Sequence, residues 1–128
     1  MVVAKRTGAV YGVEIANGRV RLMADTRKAQ RGGDTGMRPH ELLESALAAC
    51  ICMSIEMAAE CAGVAMRACT VEVRLDRRDH ETRFDVAAQF GAALSGVQAD
   101  LVRTAMAASP VASTLGRPVR FNFELGAH

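Results

Sequence analysis

Two short apolar-rich stretches near the N-terminus are separated by a turn signal. They run from Ala9 to Ile15 and from Val20 to Ala24, with Asn17-Gly18 between them. Such stretches are typical of strands, and Asn-Gly tolerates the positive φ angles of a tight hairpin turn. The pattern therefore predicts a β-hairpin.

Strict alternation of apolar and polar residues marks three later strands. The first two are separated by Asp79-His80, which suits a turn, and the third lies near the C-terminus. The apolar positions are Cys69, Val71, Val73 and Leu75, then Phe84, Val86, Ala88 and Phe90, and finally Val119, Phe121, Phe123 and Leu125. A second hairpin and a closing strand are predicted.

A long helix is predicted from Pro39 to Ala62. Proline suits the first helical position, and Gly63 suits a C-terminal cap. The middle of this helix, from Ala46 to Ile55, carries no charged side chain, which predicts burial on nearly every face. One short chain has difficulty surrounding such a helix, so we expect a homodimer that supplies the second wall.

A shorter helix is predicted from about Val97 to Ala108, with Ser95 as its N-cap. Ser109-Pro110-Val111 interrupts its continuation. Asp25 to Arg38 is a Gly-rich loop that lacks the Lys-Ser/Thr ending of a phosphate-binding loop. Helices set apart from hairpin-paired strands indicate an α+β fold, and residues 1–128 are expected to form one domain.

The charge balance argues against nucleic acid as a partner, and the hydropathy argues against a membrane segment. Sixteen basic and fourteen acidic residues give a net charge of +2, too even for an electrostatic nucleic-acid surface. The uncharged stretch from Ser45 to Ile55 is too short to span a bilayer, and no signal peptide is recognisable. We therefore expect no nucleic acid, no membrane segment and a reducing, cytoplasmic location where the four cysteines stay unbridged.

The cysteine spacing excludes simple pairings within the long helix. Cys50 and Cys52 point about 200° apart, and Cys61 lies about 16 Å along the axis from Cys50. The histidines His40, His80 and His128 are scattered, so neither a metal site nor any other cofactor is expected. Cys50 lies on the most apolar stripe of the helix, where its thiol would be inert without a nearby cation such as Arg6, Arg19, Arg21 or Arg27.

Two segments make the chain similar to a known family. Arg38-Pro39-His40-Glu41-Leu42-Leu43 is followed by Ala48-Ala49-Cys50-Ile51-Cys52-Met53, and Ser109-Pro110-Val111 stands where a Cys-Pro-Val motif is expected. Together with the strand order, these segments resemble the OsmC/Ohr family (osmotically inducible and organic hydroperoxide resistance proteins) over Val10 to Leu125. The resemblance implies an intertwined homodimer, with each central helix between antiparallel sheets and the sites at the subunit interface.

The resemblance also implies an activity, the reduction of organic hydroperoxides by a pair of cysteines. By position, Cys50 is the attacking thiol, and its apolar stripe suits a small apolar hydroperoxide. This chain departs from the family pattern because Ser109 replaces the second cysteine and His40, followed by Glu41, replaces a glutamate. Arg38 replaces the Asn that caps the helix.

The departures shape the predicted mechanism. Cys50 is expected to depend on an external dithiol as reductant, with protonated His40 or an arginine holding the thiolate and Ser109 hydrogen-bonding the peroxide. Glu41 is a further candidate catalytic residue, because the resemblance implies that a glutamate near this position helps to orient the activating arginine. The alternative is a non-catalytic module of the same fold that binds a small apolar ligand or senses redox state through Cys50.

Overall fold

The computed structural model describes residues 1–66 and 68–126. Its strands and helices confirm the predicted α+β class. In chain order they are β1 (Val3–Arg6), β2 (Val13–Ala16), β3 (Arg21–Ala24), β4 (Arg27–Lys28), β5 (Arg31–Gly32), α1 (Pro39–Ala62), β6 (Cys69–Arg77), β7 (Thr82–Phe90), α2 (Gly96–Ala107) and α3 (Pro110–Leu115).

The first three strands form an antiparallel sheet in the order β1-β2-β3. The predicted turn between β2 and β3 is confirmed: the Asn17 side-chain oxygen accepts the N–H groups of Arg19 and Val20 at 3.0 and 2.9 Å. Gly18 has the positive φ, 91°, that this turn requires.

The predicted strand from Ala9 to Ile15 is wrong in its first half. The chain turns at Ala9–Gly12 to connect β1 with β2, and Tyr11 takes a φ of 64° there. The Thr7 N–H donates to the Gly12 carbonyl at 3.1 Å, which closes the turn. The sequence shows no Asn-Gly or Asp-Gly signal at this position. Without a turn signal, neither this turn nor the strand β1 before it was predicted.

The loop from Asp25 to Arg38 contains a miniature hairpin, β4 paired with β5. Its turn uses positive φ angles at Ala29 and Gln30, 52° and 64°, which neither residue type signals. A Cβ at Gly32 would collide with the Thr26 carbonyl, so only glycine fits at the end of this hairpin.

The side chain of Asp25 organises the same loop. It is buried, and its oxygens accept hydrogen bonds from the N–H groups of Thr26, Gly33 and Thr35 and from the Thr35 hydroxyl at 2.6 Å. These donors, the Thr35 hydroxyl above all, hold the pKa of Asp25 below its usual value despite the burial. The loop is therefore fixed by one ionised carboxylate.

The long helix α1 has the predicted bounds and ends at Gly63, whose φ is 65°. Its buried face within one chain consists of Leu47, Ile51, Ile55 and Ala59. The stripe that contains Cys50 was expected to be buried as well, but Leu43, Met53 and Met57 on it are exposed. Burial on nearly every face is therefore not achieved by this chain alone.

Among the described residues, α1 is the one helix long and apolar enough to cross a membrane, judged by length and composition only. The core helix of a water-soluble protein passes the same test. The absence of a membrane segment stays a prediction.

The second half of the chain contains the other hairpin and the short helices. β6 and β7 pair in a two-stranded sheet, and the Arg78 N–H donates to the Glu81 carbonyl across their turn at 2.9 Å. Ser95 caps α2 as predicted: its hydroxyl accepts the Gln98 N–H at 3.1 Å, and the Gln98 side chain accepts the Ser95 N–H at 2.9 Å.

The predicted closing strand is wrong for the single chain. Residues 118–126 have no regular secondary structure. Their apolar side chains lie in solvent: Val119 is 58% exposed, Phe121 76%, Phe123 88% and Leu125 102%. A strand requires a neighbouring edge with free backbone groups, and alternation in the sequence does not provide that neighbour.

The chain divides into two compact units. The first comprises Met1–Ser45 and Arg74–Asp85, and the second comprises Ala46–Val73 and the residues from Val86 onward. α1, β6 and β7 each contribute residues to both units. The organisation of residues 1–128 as one domain stays a prediction.

Candidate active site around Cys50

Cys50 lies beside Ser109 within the second unit. The Ser109 hydroxyl donates a hydrogen bond to the Cys50 sulfur over 3.1 Å. Ser109 is 0% exposed, whereas the Cys50 side chain is half-buried. A buried donor and a partly accessible thiol give a sulfur that is both polarised and reachable.

The connection between α2 and α3 fixes the position of Ser109. Ser109 is the N-cap of α3, and Pro110 occupies the first helical position, as its locked φ favours. The Ala112 N–H donates to the Ser109 oxygen at 3.5 Å. Because that contact uses a lone pair of the oxygen, the single hydroxyl proton is free to point at Cys50.

Three uncharged donors lower the pKa of the Cys50 thiol. The Ser109 hydroxyl contributes most, followed by the Val111 N–H, while partial burial acts in the opposite direction and the Ser54 hydroxyl adds a smaller lowering effect. Hydrogen bonds to the charged form stabilise a thiolate. The site therefore favours an ionised Cys50 more than a free cysteine in water does.

The expected cation near the thiolate, an arginine or protonated His40, stays a prediction. Among the described residues of the second unit, the groups that lower the pKa of Cys50 carry no charge. Two of the proposed arginines contact carboxylates in the first unit: Arg27 pairs with Asp34 at 2.9 Å, and Arg21 lies 3.9 Å from Glu14.

The other two expected site residues lie at the start of α1. His40 is exposed in the first turn, ten residues before Cys50, which corresponds to about 15 Å along the helix axis. The Glu41 carboxylate accepts the Arg38 N–H at 3.1 Å. This contact satisfies one of the free N–H groups at the helix start, so Glu41 has a structural role there.

Sequence reasoning missed Val111 and Ser54. Ser54 lies four residues after Cys50 and hence on the same helix face, which is a signal that could have identified it. Val111 acts through its backbone N–H, and its side chain gives no indication of that role.

An open apolar groove of about 550 Å³ lies along the same side of α1, against α2. Ser54 connects the groove with the Cys50 site, because it lines the groove and its hydroxyl is one of the groups that lower the pKa of Cys50. The other lining residues are largely apolar, with Asp100 and Thr104 as polar members; they are Met57, Ala58, Leu101, Ala105 and Ala108.

The remaining cysteines are separate from this site. Cys61 is exposed near the end of α1, while Cys52 and Cys69 are half-buried at a different cavity. In residues 1–66 and 68–126, no three His, Cys, Asp or Glu side chains cluster so that they could hold a metal ion. His128 lies outside the described residues.

Solved structures of similar fold come from several bacteria. An OsmC-like protein from Mycoplasma pneumoniae matches with a TM-score of 0.75 and 15% identity, covering 90% of this chain and 85% of that one. A protein described as osmotic stress induced and detoxification response, from Psychrobacter arcticus, matches with a TM-score of 0.73 and 18% identity over 88% and 85% of the two chains.

An organic hydroperoxide resistance protein from Vibrio cholerae, with captopril bound in one of its active sites, is also similar. Its TM-score is 0.64 and its identity 22%, over 91% of this chain and 84% of that one. At these identities the likeness shows the fold. No curated protein matches the chain.

The family model described as OsmC-like protein matches residues 32–124, which include α1, the β6–β7 hairpin, α2 and the Ser109 turn. This range is well over half of the chain and confirms the resemblance found in the sequence. The protein therefore belongs to the OsmC-like family.

Proposed function

We propose that this protein reduces organic hydroperoxides with Cys50 as the attacking thiol and an external dithiol as the reductant. The observation that carries the proposal is the 3.1 Å hydrogen bond from buried Ser109 to the Cys50 sulfur. A thiolate, not a thiol, attacks a peroxide, and the donors around Cys50 favour that form.

The proposed cycle has two half-reactions: the peroxide oxidises Cys50, and the dithiol then reduces Cys50 again. The Cys50 thiolate attacks a peroxide oxygen, the O–O bond breaks, and the departing alkoxide takes up a proton to become an alcohol. Cys50 becomes a sulfenic acid. One thiol of the reductant then attacks this sulfur and releases water, and its second thiol displaces Cys50 as the reductant forms its own disulfide.

Ser109 explains why the reductant is expected to be external. A hydroxyl cannot form a disulfide, so the position that holds the second cysteine in the family pattern here supplies a hydrogen-bond donor instead. The same residue therefore activates the thiol but cannot resolve its oxidised form.

The groove beside Cys50 supports an apolar substrate. Ser54 links the thiol to a surface formed mostly by alanine, leucine and methionine side chains, which would bind the hydrocarbon part of a hydroperoxide. Asp100 at this surface disfavours substrates that carry a carboxylate close to the peroxide group.

We also infer that the working form is a homodimer. Large apolar side chains are exposed on α1, at Leu43 and Met53, and near the C-terminus, at Phe121 and Phe123. Exposed apolar surface of this extent is typical of an interaction site. A second copy would cover both surfaces.

The experiment is peroxide consumption with cumene hydroperoxide and dithiothreitol. Cys50→Ser should abolish turnover, because a hydroxyl does not replace a peroxide-attacking thiolate. Cys61→Ser is the matched control, since it alters an exposed thiol on the same helix, and it should retain turnover. If Cys50→Ser keeps wild-type turnover, or the wild type has none with any dithiol, the proposal fails.

The alternative is a module that binds an apolar ligand or senses redox state without turnover. The groove and the absence of a second cysteine at Ser109 favour it. It predicts stoichiometric oxidation of Cys50 by the hydroperoxide but no catalytic consumption in the presence of dithiol.

A further inference from the structure

A pair of thiols, separate from Cys50, lies on the opposite flank of the buried face of α1. Cys52 on α1 and Cys69 at the start of β6 line one cavity of about 590 Å³ within the second unit. Both side chains are half-buried. Cys52 points about 200° away from Cys50 around the helix, so this pair is separate from the site described above.

The two residues share this cavity, and Cys52 affects the ionisation of Cys69. The pKa of the Cys69 thiol is raised, chiefly by burial and further by the neighbouring Cys52 side chain. A raised pKa makes Cys69 the less readily ionised thiol, so Cys52 is assigned the first attack and Cys69 the second. A second thiol in the same cavity allows a mixed disulfide on the first to be displaced as an intramolecular disulfide forms.

The residues that line the cavity determine which charge a bound molecule is expected to carry. Ile55, Ala59 and Val64 make part of the surface apolar, and the carboxylates of Glu56 and Glu60 give it negative charge. Such a surface attracts cationic molecules and repels anionic ones.

We propose that Cys52 and Cys69 form a second redox centre, which is oxidised to an intramolecular disulfide by small disulfides that are cationic. The Cys52 thiolate attacks one sulfur of the small disulfide and releases its other half as a thiolate, which takes up a proton. The Cys69 sulfur, on losing its proton, then attacks Cys52 in this mixed disulfide. The Cys52–Cys69 bond forms, and the second half of the small disulfide leaves as a thiol.

The test uses the full chain in a Cys50→Ser background, so that its outcome does not depend on the proposed peroxidase site. The protein is incubated with cystamine, free thiols are alkylated, and intact mass and peptide mapping locate the bond. The expected product is a chain without a link to another chain, in which peptide mapping finds Cys52 bonded to Cys69 with the loss of about 2 Da in the joined peptides, apart from any adduct on the exposed Cys61. Cys61→Ser is the matched control and should give the same bridge.

Single replacements separate the two roles. In Cys69→Ser, cystamine should stop at a mixed disulfide on Cys52, because no second thiol is available to displace it. In Cys52→Ser, the remaining Cys69 should react more slowly than Cys52 does in Cys69→Ser. Mixed disulfides on both residues of the parent, links between chains, or no reaction at either residue would overturn the proposal.

The charge selection is tested by the double variant Glu56→Gln, Glu60→Gln. The parent should react faster with cationic cystamine than with anionic oxidised glutathione, and the ratio of the two rates should fall in the variant and at high salt. An unchanged ratio would remove the cationic preference from the proposal.

Discussion

Ser109 shows how one side chain can serve the fold and the chemistry together. Its hydroxyl accepts the Ala112 N–H, which caps α3, and donates its proton to Cys50. The residue is fully buried, so water does not compete for either contact. Its two contacts tie the start of a short helix to the reactive sulfur.

Ser109→Ala should raise the pKa of the Cys50 thiol towards the ordinary value of about 8.5, because the largest stabilising contact is lost. The thiolate absorbance at 240 nm, followed against pH, measures this change. The rate of attack on peroxide should rise with pH and level off at higher pH in the variant than in the wild type. Ser113→Ala, a change in the same helix, is the control and should leave both curves in place.

Ser109→Cys should convert the site to a two-cysteine cycle. The Ser109 oxygen and Cys50 sulfur are 3.1 Å apart, so a thiol at this position needs little movement to reach bonding distance. After treatment with organic hydroperoxide, mass spectrometry should find a bridge between positions 50 and 109. The wild type should instead over-oxidise at Cys50 when no external thiol is present. Sulfinic acid at Cys50 in the variant, without a bridge, would contradict this prediction.

At the scale of elements, α1 has two flanks with different thiols and a buried face between them. Leu47, Ile51 and Ile55 anchor the helix, while Cys50 and Cys52 stand on either side of that anchor. A single apolar helix therefore places one sulfur beside Ser109 and another at the cavity next to β6.

The capping box of α2 gives a stability prediction for an element that carries no reactive group. Ser95→Ala removes the acceptor for the Gln98 N–H and should cost about 1 kcal/mol of unfolding free energy. Urea unfolding followed by circular dichroism measures it. Ser95→Thr keeps a hydroxyl and should lose less, and equal losses in the two variants would show that the cap does not stabilise the helix.

At the scale of the whole molecule, the exposed apolar surface supports the proposed homodimer. Light scattering at micromolar concentration should give about twice the chain mass of 13.6 kDa. Met53→Lys places a charge on the exposed face of α1 and should shift the protein towards a monomer. Val97→Lys, an exposed apolar position on α2, is the control and should not. A stable, folded wild-type monomer would contradict the dimer.

Local patterns in the sequence determined most of the elements of this protein. The bounds of α1 followed from Pro39, Gly63 and the helical periodicity, because these signals act within a few residues. The β2–β3 turn and the cap of α2 were predictable for the same reason. The turns at Tyr11 and at Ala29-Gln30 were not, since their residue types give no sign of positive φ.

The identity of the reactive cysteine was a prediction from a resemblance, and the contact that supports it appeared only in the tertiary structure. Cys50 and Ser109 are 59 positions apart, and no local pattern encodes the hydrogen bond between them. The same holds for the Val111 N–H, and for Cys69 beside Cys52. The sequence alone determined where the two longer helices and the strands β2, β3, β6 and β7 form, because hydrophobic periodicity and caps are local, whereas α3, β1, β4 and β5 were not predicted. Tertiary structure decided which thiol is polarised, because that depends on donors brought from distant parts of the chain.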